Sequence, residues 1–206
     1  LAEASITSPL VESEVFAMNC LCALPADDPV ASHAVITPAD LAGVKIRAVP
    51  FPIYTTAVEG MGAVAVPVDW SEVPTSLATG VVQGQENPVN VVLKVKLYEV
   101  QSHLMLTGHM SNAECVVMNE DAWQGLSDAQ KAAVQQAANE TRIKATKAIL
   151  DNEAAETDEL RALGMTVIST EEGLDQEAFR ASVNTLVQER FGEKFGDLYG
   201  KIAAIS

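Results

Sequence analysis

Amide and carboxylate side chains that could hold a ligand cluster in residues 80–88, GVVQGQENP. Val81 and Val82 have the β-branched character of a buried strand, and Pro88 can open a helix because it has no N–H to leave unpaired. The Gln-Glu-Asn group is therefore expected where a strand ends and a helix begins, which is where open α/β sheets bind ligands. The competing interpretation is a capped turn in which Asn87 bonds only its own backbone.

A single arginine, Arg47, lies in residues 44–49 (VKIRAV), whose alternation of apolar and polar residues predicts a strand. An arginine in a buried-type strand needs a carboxylate partner or an anionic ligand. Its guanidinium fork can hold a carboxylate through two parallel charge-assisted bonds. The residues alone leave two hypotheses open, an internal ion pair with Glu59, Asp69 or Glu86, or a bound organic anion.

Three aromatic residues stand near these polar groups. Trp70 follows a predicted buried strand and precedes a short helix, so it could wall a pocket or belong to the core. Phe51 and Tyr54 have the same two interpretations.

Motifs for catalysis are absent from the sequence. It has no Gly-x-Ser-x-Gly elbow, no phosphate loop and no dinucleotide glycine fingerprint. His33, His103 and His109 form no tight cluster with the three cysteines, which argues against a structural zinc site. We therefore predict no catalytic residue, no metal and no cofactor. An enzyme would have to rely on Glu86 and His109 as acid and base.

The composition narrows the class of protein. The 206 residues are 48% apolar and only 5% aromatic, and the formal net charge is −15. Such a charge argues against binding nucleic acid or an anionic membrane surface. No run of 18 apolar residues occurs, so no stable membrane insertion is expected. Because the first residue is leucine and no signal segment precedes it, a processed or truncated chain is expected.

Predicted strands and helices alternate along most of the chain, which indicates an α/β fold with a parallel or mixed sheet. A helix capped by a Ser-x-x-Gln box would be about 50 Å long at 1.5 Å per residue, enough to lie across two lobes. The predicted strands are residues 14–23, 44–49, 63–68, 80–82, 99–107, 113–119 and 165–168, a loop covers 24–34, and the helices are residues 37–43, 53–60, 71–77, 89–97, 127–163, 175–191 and 196–205.

Several motifs occur in an order and spacing typical of one family. The sequence resembles the solute-binding proteins of tripartite ATP-independent periplasmic (TRAP) transporters, the DctP-like group, from about residue 14 onward. The motifs are DLAGVKIR at 40–47, MGA at 61–63, WSEV at 70–73, GVVQGQENP at 80–88, YEVQ at 98–101, LTGH at 106–109 and the Asn119, Trp123, Leu126-Ser127 run.

The resemblance implies a two-lobed periplasmic-binding-protein-like α/β fold with a long helix crossing both lobes. Family members extend further at the N-terminus, so the N-terminal lobe is expected to be incomplete, lacking about the first hundred residues of the family. Residues 1–24 and 113–152 would be the remainder of lobe I, and residues 25–112 and 153–206 would form lobe II.

The resemblance also implies a function and a set of site residues. Arg47 matches the arginine that clamps the ligand carboxylate, Asn87 the pocket asparagine, Trp70 the aromatic wall, and Pro50 and Phe51 a segment that touches ligand. Gln85 and Glu86 are expected to hold the turn in shape. The chain would be a periplasmic receptor, not an enzyme, that delivers a small organic acid to TRAP membrane permease subunits, with a signal peptide in its precursor.

Three departures from the family pattern stand out. The N-terminal part of the family, which builds one wall of the site, is absent from the sequence, no arginine follows the strand at 15–23, and Gln83 and Pro74 stand where Asp and an aromatic are usual. The first two departures argue against a second carboxylate clamp and weaken the expectation of a dicarboxylate or acidic sugar, so a monocarboxylate suits the site at least as well. The alternatives are a ligand-sensing domain for a signalling partner and, behind it, an α/β enzyme.

Overall fold

A single sheet organises the computed structural model, which describes residues 20–24, 34–111 and 116–203. Its strands are β1 (Cys20–Leu24), β2 (Lys45–Ala48), β3 (Val64–Pro67), β4 (Gly84–Pro88), β5 (His103–Met105) and β6 (Thr166–Ile168). The helices are α1 (Pro52–Gly60), α2 (Val73–Ala78), α3 (Val89–Lys94), α4 (Glu120–Gln124), α5 (Asp128–Ala162) and α6 (Gln176–Ala203), with 3₁₀ turns at Pro38–Leu41, Trp70–Glu72 and Leu97–Glu99.

The six strands lie in the order β3-β2-β4-β1-β5-β6. Strand β2 runs parallel to both β3 and β4, and β5 runs parallel to β6. Strand β1 is antiparallel to β4 on one side and to β5 on the other, so it joins two parallel groups into one mixed sheet. The expected α/β fold with a parallel or mixed sheet is confirmed.

Apolar side chains cover both faces of the sheet. One core cluster includes Ile46 on β2, Met61 after α1 and Phe179 on α6. The other joins α2 and α3 to Leu104 on β5 and Leu160 near the end of α5. Because successive strand residues point to opposite faces, β5 and β6 contribute to both clusters, with Met105 and Ile168 in the first and Leu104 and Val167 in the second.

Helices α1 and α6 pack closely on the first of these faces. A Cβ atom on Gly60 would lie 2.7 Å from the Cα of Val183, so the helices meet backbone to backbone there. Arg190 on α6 donates to the Thr56 hydroxyl over 2.9 Å and forms an ion pair with Glu59. Glu59, one of the three carboxylates considered as a partner for Arg47, is therefore paired with a different arginine.

The long helix α5 has 35 residues, as the Ser-x-x-Gln box predicts. The Ser127 backbone N–H donates to the Gln130 side chain over 2.9 Å, and the Gln130 N–H donates to the Ser127 hydroxyl over 3.3 Å. Its buried residues are Thr157 and Leu160, both in its last two turns. Only that end packs against the sheet, and Ile143 and Leu150 are exposed.

The predicted strand at Val81 and Val82 is wrong. Gly80 has a φ of +73° and turns the chain after α2, which leaves Val81 exposed and buries Val82 in a turn. The ladder with β2 begins at Gln83, whose N–H donates to the Lys45 carbonyl over 2.8 Å. The Gln-Glu-Asn group therefore lies inside strand β4, not beyond the end of a strand.

Other boundaries also differ from prediction. Residues 116–119 form no strand, and the rest of the strand predicted at 113–119 lies outside the described residues. Residues 14–19 of the first predicted strand and 25–33 of the predicted loop also lie outside them. The helix at 89–97 stops at Lys94, because Lys96 takes a φ of +59°. The two predicted C-terminal helices are one helix, α6. The helix predicted at 71–77 is the 3₁₀ turn Trp70–Glu72 followed by α2, which begins at Val73. The division into two lobes stays a prediction.

Candidate functional site

The polar candidates gather at one edge of the sheet. Because β2, β3 and β4 run parallel, their carboxyl ends meet at the same edge, which is where open α/β sheets bind ligands. Arg47 on β2 is paired in register with Gln85 on β4, so the two side chains lie on the same face. Asn87 is two residues further along β4 and shares that face.

Two contacts hold the Arg47 side chain, which is only 3% exposed. Its Nε donates to the Val68 carbonyl, just after β3, over 3.0 Å. Its Cζ lies 5.6 Å from the centroid of the Trp70 ring, a cation–π distance. These contacts involve Nε and the flat face of the guanidinium. The two terminal Nη groups are therefore the ones that could bind a ligand carboxylate.

The charge of Arg47 has no close counter-ion among the residues that the structure describes. Burial lowers the pKa of its guanidinium, and the charges of the Glu86 and Asp69 carboxylates act in the opposite direction. The side chain keeps its proton, since arginine stays charged in proteins. The internal ion pair proposed as an alternative is therefore not formed by the described carboxylates.

The Asn87 side chain bonds neither its own backbone nor a turn. Its Nδ2 donates to Oε1 of Gln85, and its own carboxamide is only partly buried. Gln85 is completely buried. The capped-turn interpretation of Asn87 is wrong, and Gln85, expected to hold a turn, lies in a strand between Arg47 and Asn87. The period-two spacing of residues 85 and 87 is the signal that could have revealed this once the strand was placed correctly.

Apolar side chains stand at the same edge of the sheet. Trp70, in the 3₁₀ turn after β3, is 45% exposed and contacts Arg47. Pro50 and Phe51 follow β2, and Phe51 is 62% exposed. The structure thus brings Arg47, Trp70 and Asn87 together, with Pro50 and Phe51 at the neighbouring strand end.

Glu86 and His109 are on the other face of the sheet. Both are buried, and His109 Nε2 lies 3.9 Å from Glu86 Oε2. The Thr107 hydroxyl bonds His109 Nδ1 over 2.8 Å. Burial lowers the pKa of His109 to about 4, so the imidazole is neutral near pH 7. A pair enclosed in this way offers no access to a substrate, which weighs against the enzyme hypothesis.

Within residues 20–24, 34–111 and 116–203, no group of three or more His, Cys, Asp or Glu side chains is arranged to hold a metal ion. No helix in those ranges combines the length and apolarity needed to cross a membrane.

Comparison with known proteins identifies the family to which the chain is similar. Residues 30–194 match the family model described as bacterial extracellular solute-binding protein, family 7 (DctP). A solute-binding protein of Verminephrobacter eiseniae (strain EF01-2) is 38% identical over 162 residues, which cover 78% of this chain and 48% of that protein. The 2,3-diketo-L-gulonate-binding periplasmic protein YiaO of Escherichia coli (strain K12) is 34% identical over 157 residues, covering 76% and 47%.

A solved structure extends the similarity to the fold. A TRAP periplasmic solute-binding protein from Roseobacter denitrificans, with bound 3-deoxy-D-manno-oct-2-ulosonic acid, superimposes with a TM-score of 0.81 at 29% identity. The match covers 93% of this chain and 62% of the other. The chain spans about half the length of the curated relatives it matches.

Proposed function

The chain belongs to family 7 of the bacterial extracellular solute-binding proteins, the DctP family, and on that premise we propose that it binds a small organic acid for delivery to a TRAP-type permease. The family is the one that the sequence motifs indicate, and the resemblance to TRAP solute-binding proteins is confirmed. The expected periplasmic-binding-protein-like α/β fold with a long helix is confirmed as well.

A buried arginine carries the proposal. Arg47 is held by Val68 and Trp70 at the carboxyl edge of three parallel strands, and its charge has no close counter-ion in the described part of the chain. In a chain with a net charge of −15, this arrangement favours one small anion at one place. A carboxylate matches the guanidinium fork through two parallel hydrogen bonds.

The neighbouring side chains favour a hydroxylated monocarboxylate. Asn87 offers an amide beside the fork, which suits a hydroxyl group next to the carboxylate, and Trp70, Phe51 and Pro50 would cover the carbon chain. Among the described residues, Arg47 supplies the one guanidinium clamp at this edge of the sheet, which favours a ligand with one carboxylate. Two of the matched proteins are associated with acids of this chemical class: YiaO is named for binding 2,3-diketo-L-gulonate, and the Roseobacter denitrificans structure contains 3-deoxy-D-manno-oct-2-ulosonic acid.

The proposed location and partner follow from the family. A receptor of this kind would work outside the cytoplasmic membrane, in the periplasm, and would hand its ligand to the membrane subunits of a TRAP transporter. It would act by closing on its ligand through a hinge motion, without turnover. The family description as extracellular and the periplasmic names of matched proteins support this location.

Isothermal titration calorimetry of the purified chain with a fixed acid panel tests the proposal. The panel contains 2,3-diketo-L-gulonate, 3-deoxy-D-manno-oct-2-ulosonic acid and D-gluconate, with butyrate, succinate and D-glucose as controls. We expect at least one of the three hydroxylated acids to bind at micromolar concentration, about −8 kcal/mol. Butyrate should bind more weakly, and D-glucose should not bind.

The controls separate the parts of the proposal. Equal affinity for D-glucose and D-gluconate would overturn the carboxylate clamp. Tighter binding of succinate than of every hydroxylated acid would overturn the monocarboxylate class. Absence of binding by all members of the panel would overturn the proposed function of this chain.

A further inference from the structure

Gln85 combines three properties that a purely structural side chain would not need. It is completely buried, it accepts a hydrogen bond from Asn87 Nδ2, and its own Nε2 has no hydrogen-bond partner among the residues that the structure describes. A buried amide donor left without a partner destabilises the folded chain, because it gives up its bonds to water and gains none. A methionine or leucine of similar size would fill the same space without that loss.

The position of Gln85 indicates what the amide does. It is the ladder partner of Arg47 on β2 and lies two residues before Asn87 on β4, so it sits between the two proposed ligand contacts on one face. Its Oε1 accepts a hydrogen bond from one N–H of the Asn87 carboxamide. The carboxamide of Asn87 is thereby held in one rotamer, and neither its carbonyl oxygen nor its second N–H bonds another residue that the structure describes.

We infer that Gln85 is a positioning residue that fixes the Asn87 carboxamide for ligand binding, and that this inference rests on the proposed function. A fixed amide presents a donor and an acceptor side by side, next to the guanidinium fork of Arg47. That pair matches a hydroxyl group adjacent to a carboxylate, since such a hydroxyl both donates and accepts. Without Gln85, Asn87 would sample other rotamers, and the ligand would have to order it on binding.

Ligand affinity and melting temperature, measured together, distinguish a positioning role of Gln85 from a structural one. In Gln85→Met we expect the affinity for the best acid of the panel to fall about five- to tenfold, the scale of one lost hydrogen bond. The melting temperature should stay the same or rise, because the unpartnered Nε2 is removed. A residue that only supports the fold would lower the melting temperature. Gln83→Met is the matched control, since the Gln83 side chain bonds the Lys45 backbone at the other end of β4; it should leave affinity unchanged.

A double-mutant cycle tests whether Gln85 acts through Asn87. In an Asn87→Ala background, Gln85→Met should cause no further loss of affinity, since neighbours that act as a unit are not additive. A full additional five- to tenfold loss in that background would overturn the inference. So would an equal loss of affinity in Gln83→Met.

A measurement without ligand keeps this inference separate from the proposed function. The side-chain amide signal of Asn87, assigned in ¹⁵N NMR spectra by its disappearance in Asn87→Asp, should exchange slowly with solvent in the unaltered chain and in Gln83→Met. In Gln85→Met it should exchange rapidly. If no acid of the panel binds, the proposed function fails while the NMR result still decides the positioning role. Slow exchange that persists in Gln85→Met would overturn that role.

Discussion

Removal of the Arg47 side chain should abolish most of the affinity for an organic acid. In Arg47→Ala the carboxylate would enter a partly enclosed site with no charge to meet it. Truncating one partner of a desolvated, hydrogen-bonded charge pair costs about 2–4 kcal/mol. At about 1.4 kcal/mol per tenfold change, the dissociation constant should rise about 30- to 700-fold.

The contacts of Arg47 limit what the substitution does to the fold. The Val68 carbonyl would lose its hydrogen bond and Trp70 its cation–π contact, each about 1 kcal/mol. Removal of a buried charge offsets part of that loss. We therefore expect a folded variant whose free energy of unfolding falls by no more than about 2 kcal/mol, measurable by urea denaturation.

Two further variants make the Arg47 experiment specific. Arg47→Lys keeps the charge but not the planar fork, so we expect about a tenfold loss of affinity. Lys45→Ala removes an exposed cation two residues earlier on β2 and should change the affinity less than about twofold. The assignment of Arg47 is refuted if calorimetry gives Arg47→Ala the affinity of the unaltered chain, or if Lys45→Ala weakens binding as much as Arg47→Ala does.

Two other substitutions test the fold. Gly62 has a φ of +89°, and a Cβ there would lie 2.0 Å from the Pro38 carbonyl oxygen, so Gly62→Ala should lower the free energy of unfolding by at least about 3 kcal/mol. The control Gly43→Ala, at a φ of +84° with nothing within 4 Å of the new Cβ, should lower it by about 1 kcal/mol. Equal losses in the two variants would contradict this prediction. The folded-state pKa of His109 is about 4 against an ordinary 6.5, so the unfolded chain binds the extra proton, and stability should be complete above pH 6.5 and fall by about 3 kcal/mol towards pH 4. Urea titrations between pH 6.5 and pH 4 measure this loss of stability. His109→Gln should make the loss smaller, and the control His103→Gln should leave it unchanged. If His109→Gln lost as much stability as the unaltered chain, burial of His109 would not be the cause.

Local sequence signals predicted those parts of the fold that depend on a few neighbouring residues. The Ser127-Gln130 capping box begins the long helix where it was predicted, and the helix ends at Ala162, one residue before the predicted end. Arg47 could be singled out because an arginine in a buried-type strand needs a partner wherever the strand lies. These predictions agree with the structure because they do not depend on which strands pair.

The errors arose where tertiary pairing overrides local propensity. Two valines after a glycine favour a strand by composition, yet Gly80 turns the chain and the strand begins at Gly84, where the backbone meets β2. A strand placed too early puts Gln85 in a turn, and its contact with Asn87 cannot then be predicted. No pattern in residues 80–88 alone reports the position of β2.

The placement of β4 gives its two faces different roles. Gln85 and Asn87 share the face of Arg47, while Glu86 points to the interior beside His109. A shift of register by one residue would exchange the faces, burying Asn87 and turning the Glu86 carboxylate towards the ligand. That carboxylate would repel the anion that Arg47 attracts. The register is fixed by the backbone ladder to β2, which starts at the Gln83 N–H and the Lys45 carbonyl, and by the antiparallel pairing with β1. Strand pairing far from any ligand atom is therefore as necessary for binding an anion as the arginine itself.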